Sequence, residues 1–424
     1  MTGLLILLVY VAIFAGSFFA IKFLVHKARS DFTSLKTVTF GDESAVSSDR
    51  WASVISIATI FLIWGAFTGS NWVPGFLQAP GPFVGETSFV YTLDDGNGNR
   101  DDATVFVRVV DFGEDAKDFD VPPGDGFAKD DSLAMNASRS KTILFDKNDD
   151  VTRKQGAQVV AIDGEPIAAG AVLNTASGRF ALTDKGAISY TPPLGLQMDP
   201  VYLPPPEAVV GRFFEISSEG YRGSDLWTHL GYSLFRVIGG FFFGALLGIP
   251  LGYAMGLNGW FRGWFDPIVE FMRPVPPLAL IPLVIIWFGI SETGKIILLF
   301  LAALWIMAIA ARSGVSGVRI TKVHAAYSLG ASKWQIMRHV IIPNSLPDIF
   351  TGARVAMGVC WGTVVAAELV AASEGAGMMI MVASKFTLTD IVIMGIILIG
   401  VIGFGIDMLM RWAERVLVPW KGKG

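Results

Sequence analysis

Several stretches of this chain are long and apolar enough to cross a lipid bilayer, and this feature constrains the fold most strongly. The first such stretch, Leu4 to Ile21, holds 18 residues and no charge. As a helix it would rise about 27 Å, close to the ~30 Å thickness of a hydrocarbon core. Charged residues make up 17% of the chain, whereas soluble proteins carry about a quarter. The sequence therefore predicts a helical membrane protein.

Seven transmembrane helices are predicted, near residues 4–25, 52–72, 230–257, 278–290, 296–311, 349–372 and 391–410. The fourth is short and is broken by prolines at positions 274, 276, 277 and 282. Irregular backbone at membrane depth is tolerated only where protein or a water-filled cavity covers it. The predicted fold class is a polytopic, all-α membrane bundle with an extracytoplasmic β-sandwich insertion.

The distribution of basic residues predicts the orientation. The connection 312–348 carries five basic residues against one acid, and Arg411, Arg415, Lys421 and Lys423 lie near the C-terminus. Short basic loops stay in the cytoplasm, so this connection, the C-terminus and segment 27–50 are predicted to be cytoplasmic. Basic residues follow the first apolar run instead of preceding it, which favours a retained helix with its N-terminus outside over a cleaved signal peptide.

Segment 80–199 differs in composition and is predicted to be a small β-sandwich outside the membrane. Two runs of alternating residues, 89–93 and 103–109, flank the turn sequence Asp-Asp-Gly-Asn-Gly-Asn, which is typical of a β-hairpin. Similar runs occur at 159–167 and 180–190. The segment "FVYTLDDGNGNRDDATVFVRVV" resembles the bacterial Ig-like or cadherin-like repeats of surface proteins.

Two acidic turns in this segment resemble the start of a calcium-binding loop. They contain Asp95, Asn97 and Asn99, and Asp146, Asn148 and Asp150. Neither has glycine at the sixth position or glutamate at the twelfth. Hydrogen bonding within the turn explains these residues equally well, so no metal site is predicted.

Other chemistry is not indicated. The sequence has no G-x-x-x-x-G-K-[ST] phosphate-binding loop, and its four histidines lack zinc-ligand spacing. The formal net charge of −4 gives no reason to expect nucleic acid as a partner. We therefore predict no catalytic residue, no metal and no nucleic acid.

The basic connection is predicted to form a two-helix elbow. The first helix ends at Gly330, and the second begins at Ser332, with Gln335 completing a capping box. Pro343 is expected to limit its far end. One face carries Trp334, Met337 and Ile341, beside Lys333 and Arg338. Such an elbow suits docking into a groove of a soluble partner; the alternative is an amphipathic connector that lies against its own bundle.

The elbow is similar to the EAA motif of ABC-importer permeases: Glu-Ala-Ala, three residues, Gly, nine residues, Ile-x-Leu-Pro. Ala325, Ala326, Gly330 and Pro343 match at full spacing, while His324 stands where the family has glutamate. The resemblance implies contact with an ATPase subunit through His324, Ala325, Ala326, Tyr327, Leu329, Gly330, Ser332, Lys333, Trp334, Met337, Arg338 and Pro343.

Residues 203–420 resemble permeases for taurine, aliphatic sulfonates and nitrate, and taurine permeases most closely. The resemblance rests on "YLPPPEAV", "RGWFDPIVEFMRPVPPLALIPLVIIWFGISETGKI" and "GVCWGTVVAAELVAA". It implies a six-helix core in a homodimer in the bacterial inner membrane, two cytoplasmic ABC ATPase subunits that bind ATP and Mg, and a periplasmic binding protein. No cofactor is expected on this chain itself.

The expected organisation combines this permease core with two parts that depart from the family pattern, the first helix and the insertion. Residues 1–26 form an extra N-terminal helix, 27–50 a cytoplasmic linker, 51–75 the first core helix, 80–199 the periplasmic insertion and 200–424 the permease core. Taurine is the preferred substrate, with alkanesulfonate, nitrate or a related small solute as alternatives. An alternative of another class is a membrane-anchored adhesion or sensor protein, although anchoring requires no basic elbow.

Ionisable residues at membrane depth are costly and often functional. Phe288, Trp361, Glu368 and Arg236 are candidates for the translocation path or its gate. Arg236 is the best cationic group to attract an anion. For Glu368 the preferred alternative is a structural ion pair with Arg236 or a position near the outer membrane interface. For Trp361 the alternative is anchoring at a membrane interface or packing.

Overall fold

The computed structural model describes residues 2–26 and 50–420. Most of the predicted linker 27–50 and the basic residues Lys421 and Lys423 lie outside the described residues. The chain forms two compact units, Met1–Glu207 and Ala208–Gly424.

The first unit begins with two apolar helices, α1 (Thr2–His26) and α2 (Arg50–Phe67). They contact each other through Tyr10 and Phe67, whose rings meet edge to face with centroids 4.4 Å apart. α1 overlaps the predicted span 4–25, and α2 ends at Phe67, five residues before the end of the predicted span 52–72.

Nine strands follow in the first unit. They are β1 (Gly85–Asp94), β2 (Arg100–Val110), β3 (Asp131–Asn136), β4 (Lys141–Ile143), β5 (Gln158–Ile162), β6 (Glu165–Pro166), β7 (Val172–Thr175), β8 (Gly178–Leu182) and β9 (Ile188–Thr191). One sheet has the order β3-β2-β1-β5-β6 and the other β4-β9-β8-β7. β2 and β3 pair in parallel, and the other pairs are antiparallel.

The predicted hairpins are confirmed by the register. Asp94 pairs with Arg100 across the first turn, and β8 and β9 pair around the turn that joins them. The two sheets face each other across one aromatic core, in which the Phe89 ring lies 4.6 Å from Phe180 and 5.2 Å from Tyr190. Alternating strand residues bury one face of each sheet, as a sandwich requires.

The helices that follow, all in the second unit except for the start of α3, are α3 (Pro206–Glu219), α4 (Leu226–Leu257), α5 (Gly259–Met272), α6 (Ile281–Phe288), α7 (Glu292–Ser316), α8 (Ile320–Ser328), α9 (Lys333–Ile336), α10 (Ile342–Ala371), α11 (Ala376–Lys385) and α12 (Thr389–Leu417). Within the described residues, four helical stretches are long and apolar enough to cross a membrane. A fifth is possible if α5 and α6, bent by 90° at the predicted proline break, act as one span. The chain is thus a helical, multi-pass membrane protein.

Glycines bring α4 and α7 into close contact. Gly240, Gly244, Gly248 and Gly252 recur at every fourth residue of α4 and are buried. A Cβ atom added at Gly244 would lie 2.5 Å from Ala303 Cβ. Small residues at this spacing let two membrane helices approach closely, so the two backbones of α4 and α7 pack directly against each other, running in the same direction.

α10 packs against α7 in the opposite direction. A Cβ atom added at Gly314 would meet Ser345 at 2.9 Å near one end of the pair. Farther along, the Cys360 thiol donates to the Leu299 carbonyl at 3.5 Å. Since α4 and α7 run parallel, the C-terminal end of α10 lies beside the N-terminal ends of both helices. This end of the bundle carries the charged residues described next.

Candidate functional site

Arg236 lies at the centre of a charge cluster that is buried except for Glu292, whose side chain is 42% exposed. Its side chain is fully buried on α4. Nε and Nη2 donate to the Glu292 carboxylate at 2.5 and 2.7 Å. Nη1 donates to Glu368 at 2.6 Å and to the Glu374 carbonyl at 2.8 Å. The guanidinium is therefore held by charge-assisted bonds, which are among the strongest in proteins.

The partner carboxylates have further donors. Glu368 accepts from the Ser233 hydroxyl at 2.8 Å and from the Gly377 N–H at 3.0 Å. Glu292 accepts from Lys295 at 2.8 Å. We call Arg236, Glu292, Lys295 and Glu368 the charge cluster; its two positive and two negative groups balance. Buried charges are stable only when paired and hydrogen-bonded in this way.

The cluster ties three helices together at one end of the bundle. Arg236 comes from α4, Glu292 and Lys295 from α7, and Glu368 from α10. The structure thus contains the ion pair between Glu368 and Arg236 that was the preferred alternative from the sequence. Four donor contacts from the guanidinium are already made, so direct attraction of a substrate anion by Arg236 would require the cluster to open.

His229 fixes the loop beside the cluster. Its Nδ1 accepts from the Gly375 N–H at 3.2 Å, and its Nε2 faces the Tyr221 carbonyl at 3.2 Å. This arrangement requires the proton on Nε2. The Ser233 hydroxyl also accepts from the Ala376 N–H at 3.1 Å. The turn from α10 to α11 is therefore anchored to the first turns of α4.

The other path candidates occupy different surroundings. Trp361 is buried, and its Nε1 donates to the Ile399 carbonyl at 3.0 Å, which supports the packing alternative. Phe288 is exposed at the last position of α6, before Gly289 with φ of 66°. Within the described part of the chain, neither Trp361 nor Phe288 forms a hydrogen bond with a member of the charge cluster.

The elbow has the capped geometry that the sequence predicts. α8 ends at Ser328, and Gly330 has φ of 80°, a conformation that glycine adopts without strain. The Gly330 N–H donates to the Tyr327 carbonyl at 3.0 Å. Ser332 and Gln335 form both bonds of the capping box. The local helix signals are confirmed.

The expected effect of Pro343 is wrong. A π-helical turn, Met337–Ile341, joins α9 to α10, and Pro343 is the second residue of α10. Proline lacks the N–H that an α-helix would use for a backbone hydrogen bond. Because the hydrogen-bond pattern changes at the π turn, the helix tolerates this missing donor at Pro343. The chain consequently stays helical for 38 residues, Lys333–Val370.

The elbow presents apolar side chains to the surface. Tyr327, Leu329 and Trp334 are 63, 88 and 68% exposed. Met337 and Ile341 are only half-buried, and Ile336 is the buried residue of α9. Trp334 is thus more exposed than Met337 and Ile341, the two residues that are predicted to share its face. Exposed aromatic and aliphatic groups beside the exposed Lys333 and Arg338 are typical of a docking surface.

The first calcium-like turn is explained by its own hydrogen bonds. Asp95 accepts from the N–H groups of Asn97 and Asn99 at 2.7 and 3.1 Å. The side chain of Asn99 also donates to it, and these bonds lower the pKa of Asp95. In the second turn, the side chain of Asp146 is not among those that the structure describes. Among described residues, no group of three or more His, Cys, Asp or Glu could hold a metal.

Ser233, Glu292 and Lys295 were not recognised from the sequence. The Glu292 and Lys295 pair has i,i+3 spacing at the start of a helix, a pattern that can be read locally. The contact of Glu292 with Arg236, 56 residues away, depends on the packing of α4 against α7.

Comparison with known proteins gives a family match. A model of binding-protein-dependent transport system inner membrane components matches residues 240–418. The taurine transport system permease protein TauC of Escherichia coli (strain K12) is 46% identical over 227 residues, which cover 53% of this chain and 82% of that protein.

Two further relatives are named for substrates other than taurine. The putative aliphatic sulfonates transport permease protein SsuC of the same strain is 39% identical over 51% of this chain and 81% of that protein. The bicarbonate transport system permease protein CmpB of Synechococcus elongatus is 33% identical over 43% of this chain and 66% of that protein.

Proposed function

The chain belongs to the family of binding-protein-dependent transport system inner membrane components, and on that premise we propose that it forms the translocation path of an ATP-driven importer for taurine or another alkanesulfonate. The observation that carries the proposal is the 46% identity with a taurine permease across 82% of that protein. The chain is a transport subunit and not an enzyme. ATP hydrolysis belongs to separate subunits, which hold the ATP and Mg.

The proposed orientation places the elbow and the C-terminus in the cytoplasm. The exposed basic residues Lys333 and Arg338 support it, because short basic loops remain cytoplasmic. The N-terminus and the β-sandwich then face the periplasm. The charge cluster, at the opposite end of α10 from the elbow, lies toward the periplasmic side.

The proposed membrane topology has seven spans. The four long helices and the bent α5–α6 pair supply five, and α1 and α2 supply two more, with 25 and 18 residues. α2 would be the first helix of a six-helix core and α1 the additional helix. The two-sheet sandwich between α2 and α3 supports an Ig-like insertion in place of a short outer loop.

The proposed partners occupy opposite faces of the membrane. The exposed surface of Tyr327, Leu329 and Trp334 supports docking of a cytoplasmic ABC ATPase. Two permease copies, two ATPases and a periplasmic binding protein would make the complete importer. Glu368 and Phe288 are proposed gate residues, since one ties helix ends together and the other ends the broken helix pair.

Reconstituted uptake tests the function. The chain, its ATPase and its binding protein are placed in liposomes, and uptake of labelled taurine is measured with ATP enclosed. ATP-dependent uptake that alkanesulfonates inhibit, and that nitrate and bicarbonate inhibit less, is expected. Uptake of nitrate or bicarbonate in preference to both sulfonates would contradict the proposed substrate. A membrane-anchored adhesion or sensor protein would show no uptake of any solute.

A further inference from the structure

Exposed apolar side chains gather at the base of the β-sandwich. They lie in the segment after α2 and in the segment that returns from β9. All of these side chains are at least half exposed, and Phe76 has the largest exposed fraction, 85%. We call the set the apolar collar: Trp72, Phe76, Leu77, Leu194, Leu196 and Tyr202.

Hydrogen bonds hold the collar against the end of α2. The Ala79 N–H donates to the Ala66 carbonyl, and the Met198 N–H to the Phe67 carbonyl, both at 2.8 Å. These carbonyls belong to the last turn of α2, where no intrahelical donor exists. The Leu196 N–H donates to the Pro80 carbonyl at 2.8 Å, which joins the two collar segments. The collar is therefore fixed in position on α2.

Charge is sparse at the base of the sandwich, where Glu207 accepts hydrogen bonds from Ser70 and Asn71 and Asp199 precedes Tyr202. Residues 68–85 and 188–198 contain no Asp, Glu, Lys or Arg. The opposite end of β1 carries Asp94 and Asp95, and β2 begins with Arg100, Asp101 and Asp102. Uncharged surface that is rich in Trp, Tyr and Phe is typical of the zone where lipid headgroups meet acyl chains.

The length of α2 places the collar in that zone. Its 18 residues span about 27 Å, slightly less than the ~30 Å hydrocarbon core. The collar continues the exposed apolar surface of α2, which includes Ile57, Ile60 and Phe61. We propose that the collar is embedded in the outer headgroup region of the bilayer, so that lipid covers it and the sandwich is held at a fixed height. This inference rests on α2 crossing the membrane.

A site-specific fluorophore tests the collar in the intact chain. Phe76→Cys is labelled with an environment-sensitive dye and reconstituted in vesicles of phosphatidylethanolamine and phosphatidylglycerol. Asn97→Cys, at the β1–β2 turn, is the matched control, because ten strand residues place it about 33 Å from the base. The wild-type chain measures background labelling, since its single Cys360 is buried.

The expected result separates the two sites. The label at position 76 should emit at shorter wavelength and lose most of its fluorescence to lipids that carry a quencher near the headgroup. The label at position 97 should respond only to aqueous iodide. Equal quenching of both labels by iodide would overturn the inference, and so would a label at position 76 that neither quencher reaches, since protein would then cover it. Taurine uptake by vesicles that also contain the ATPase, the binding protein and enclosed ATP shows separately whether the labelled chain still transports.

Discussion

Arg236 and Glu368 form a 2.6 Å ion pair in which both side chains are fully buried. The pair joins α4 to α10, and Glu292 extends it to α7. Because burial removes water from both charges, each charge depends on its protein partners for stabilisation. Changes in the two residues should therefore have unequal effects, set by the partners that remain.

Arg236→Gln should destabilise the chain more than Glu368→Gln. The first change leaves two carboxylates without their guanidinium, and removal of one partner of a buried pair costs about 3–5 kcal/mol. After the second change Arg236 keeps Glu292, and the new amide can still bond Ser233. Thermal unfolding in detergent, followed by tryptophan fluorescence, compares the two variants. Equal losses, or a greater loss for Glu368→Gln, would show that the cluster does not depend on Arg236.

Gly248→Ala should weaken the contact between α4 and α7. The new methyl group would lie 2.7 Å from the Leu304 carbonyl oxygen and 2.9 Å from Met307 Cβ, so the helices must separate. Gly239→Ala is the matched control, because nothing lies within 4 Å of the added atom and alanine favours helix by up to about 1 kcal/mol. The unfolding temperature should fall for the first variant and stay level or rise for the second. The same response from both would contradict direct backbone packing.

Trp334→Ala should uncouple ATP hydrolysis from uptake. The side chain is exposed on the elbow, so its removal should weaken ATPase docking without unfolding the bundle. Gly330→Pro should act in the same direction, because proline cannot adopt the φ of 80°. Membrane content, ATPase activity and uptake are measured together. Phe242→Ala, an exposed position on α4, is the control. Normal uptake by both elbow variants would refute docking at this surface.

Removal of the β-sandwich should leave at least partial uptake. The Phe83 N–H donates to the Pro193 carbonyl at 2.9 Å, so the two ends are close and a short glycine linker can replace residues 85–190. Uptake in reconstituted vesicles is compared with that of the full chain. A complete loss of transport by a variant that still inserts into the membrane would show that the insertion is essential to translocation.

Asp131→Asn should stabilise the β-sandwich at alkaline pH. Burial, and then the negative charges of Asp149 and Asp130, raise the pKa of Asp131 to about 6 from a usual value of 3.8. The folded state therefore holds the proton more tightly, and stability decreases as pH rises between these two values. The gain in unfolding temperature, measured by calorimetry, should be larger at pH 8 than at pH 5. An equal gain at both pH values, or a gain from the exposed control Asp115→Asn, would exclude this cause.

Structural features that depend only on residues close together in the sequence could be predicted. The capping box at Ser332, the left-handed Gly330 and the hairpin at Asp94 each depend on fewer than ten residues, and all three are present. Pro343 was misjudged because the usual rule for proline does not anticipate a π turn before it. The four-residue spacing of Gly240, Gly244, Gly248 and Gly252 is a signal of close helix packing that the sequence itself contains.

The charge cluster could be predicted only in part. Two opposite charges at membrane depth, Arg236 and Glu368, indicate a possible ion pair from the sequence alone. The roles of Glu292 and Ser233 depend on how α4, α7 and α10 meet, because these residues are 56 and 135 positions from their partners. Sequence alone does not specify which helix faces converge.

The continuous helical stretch from the elbow to the charge cluster, which includes the π turn Met337–Ile341, has a mechanical consequence. Trp334 and Glu368 belong to one helical stretch, and their 34-residue separation corresponds to about 51 Å along its axis. If this stretch moves as a stiff rod that pivots at the elbow, a tilt of about 5° displaces the opposite end by about 4 Å. That displacement exceeds the length of the hydrogen bonds around Arg236, so a small rotation at the elbow would part the charges at the far end of the stretch if α4 and α7 stayed in place.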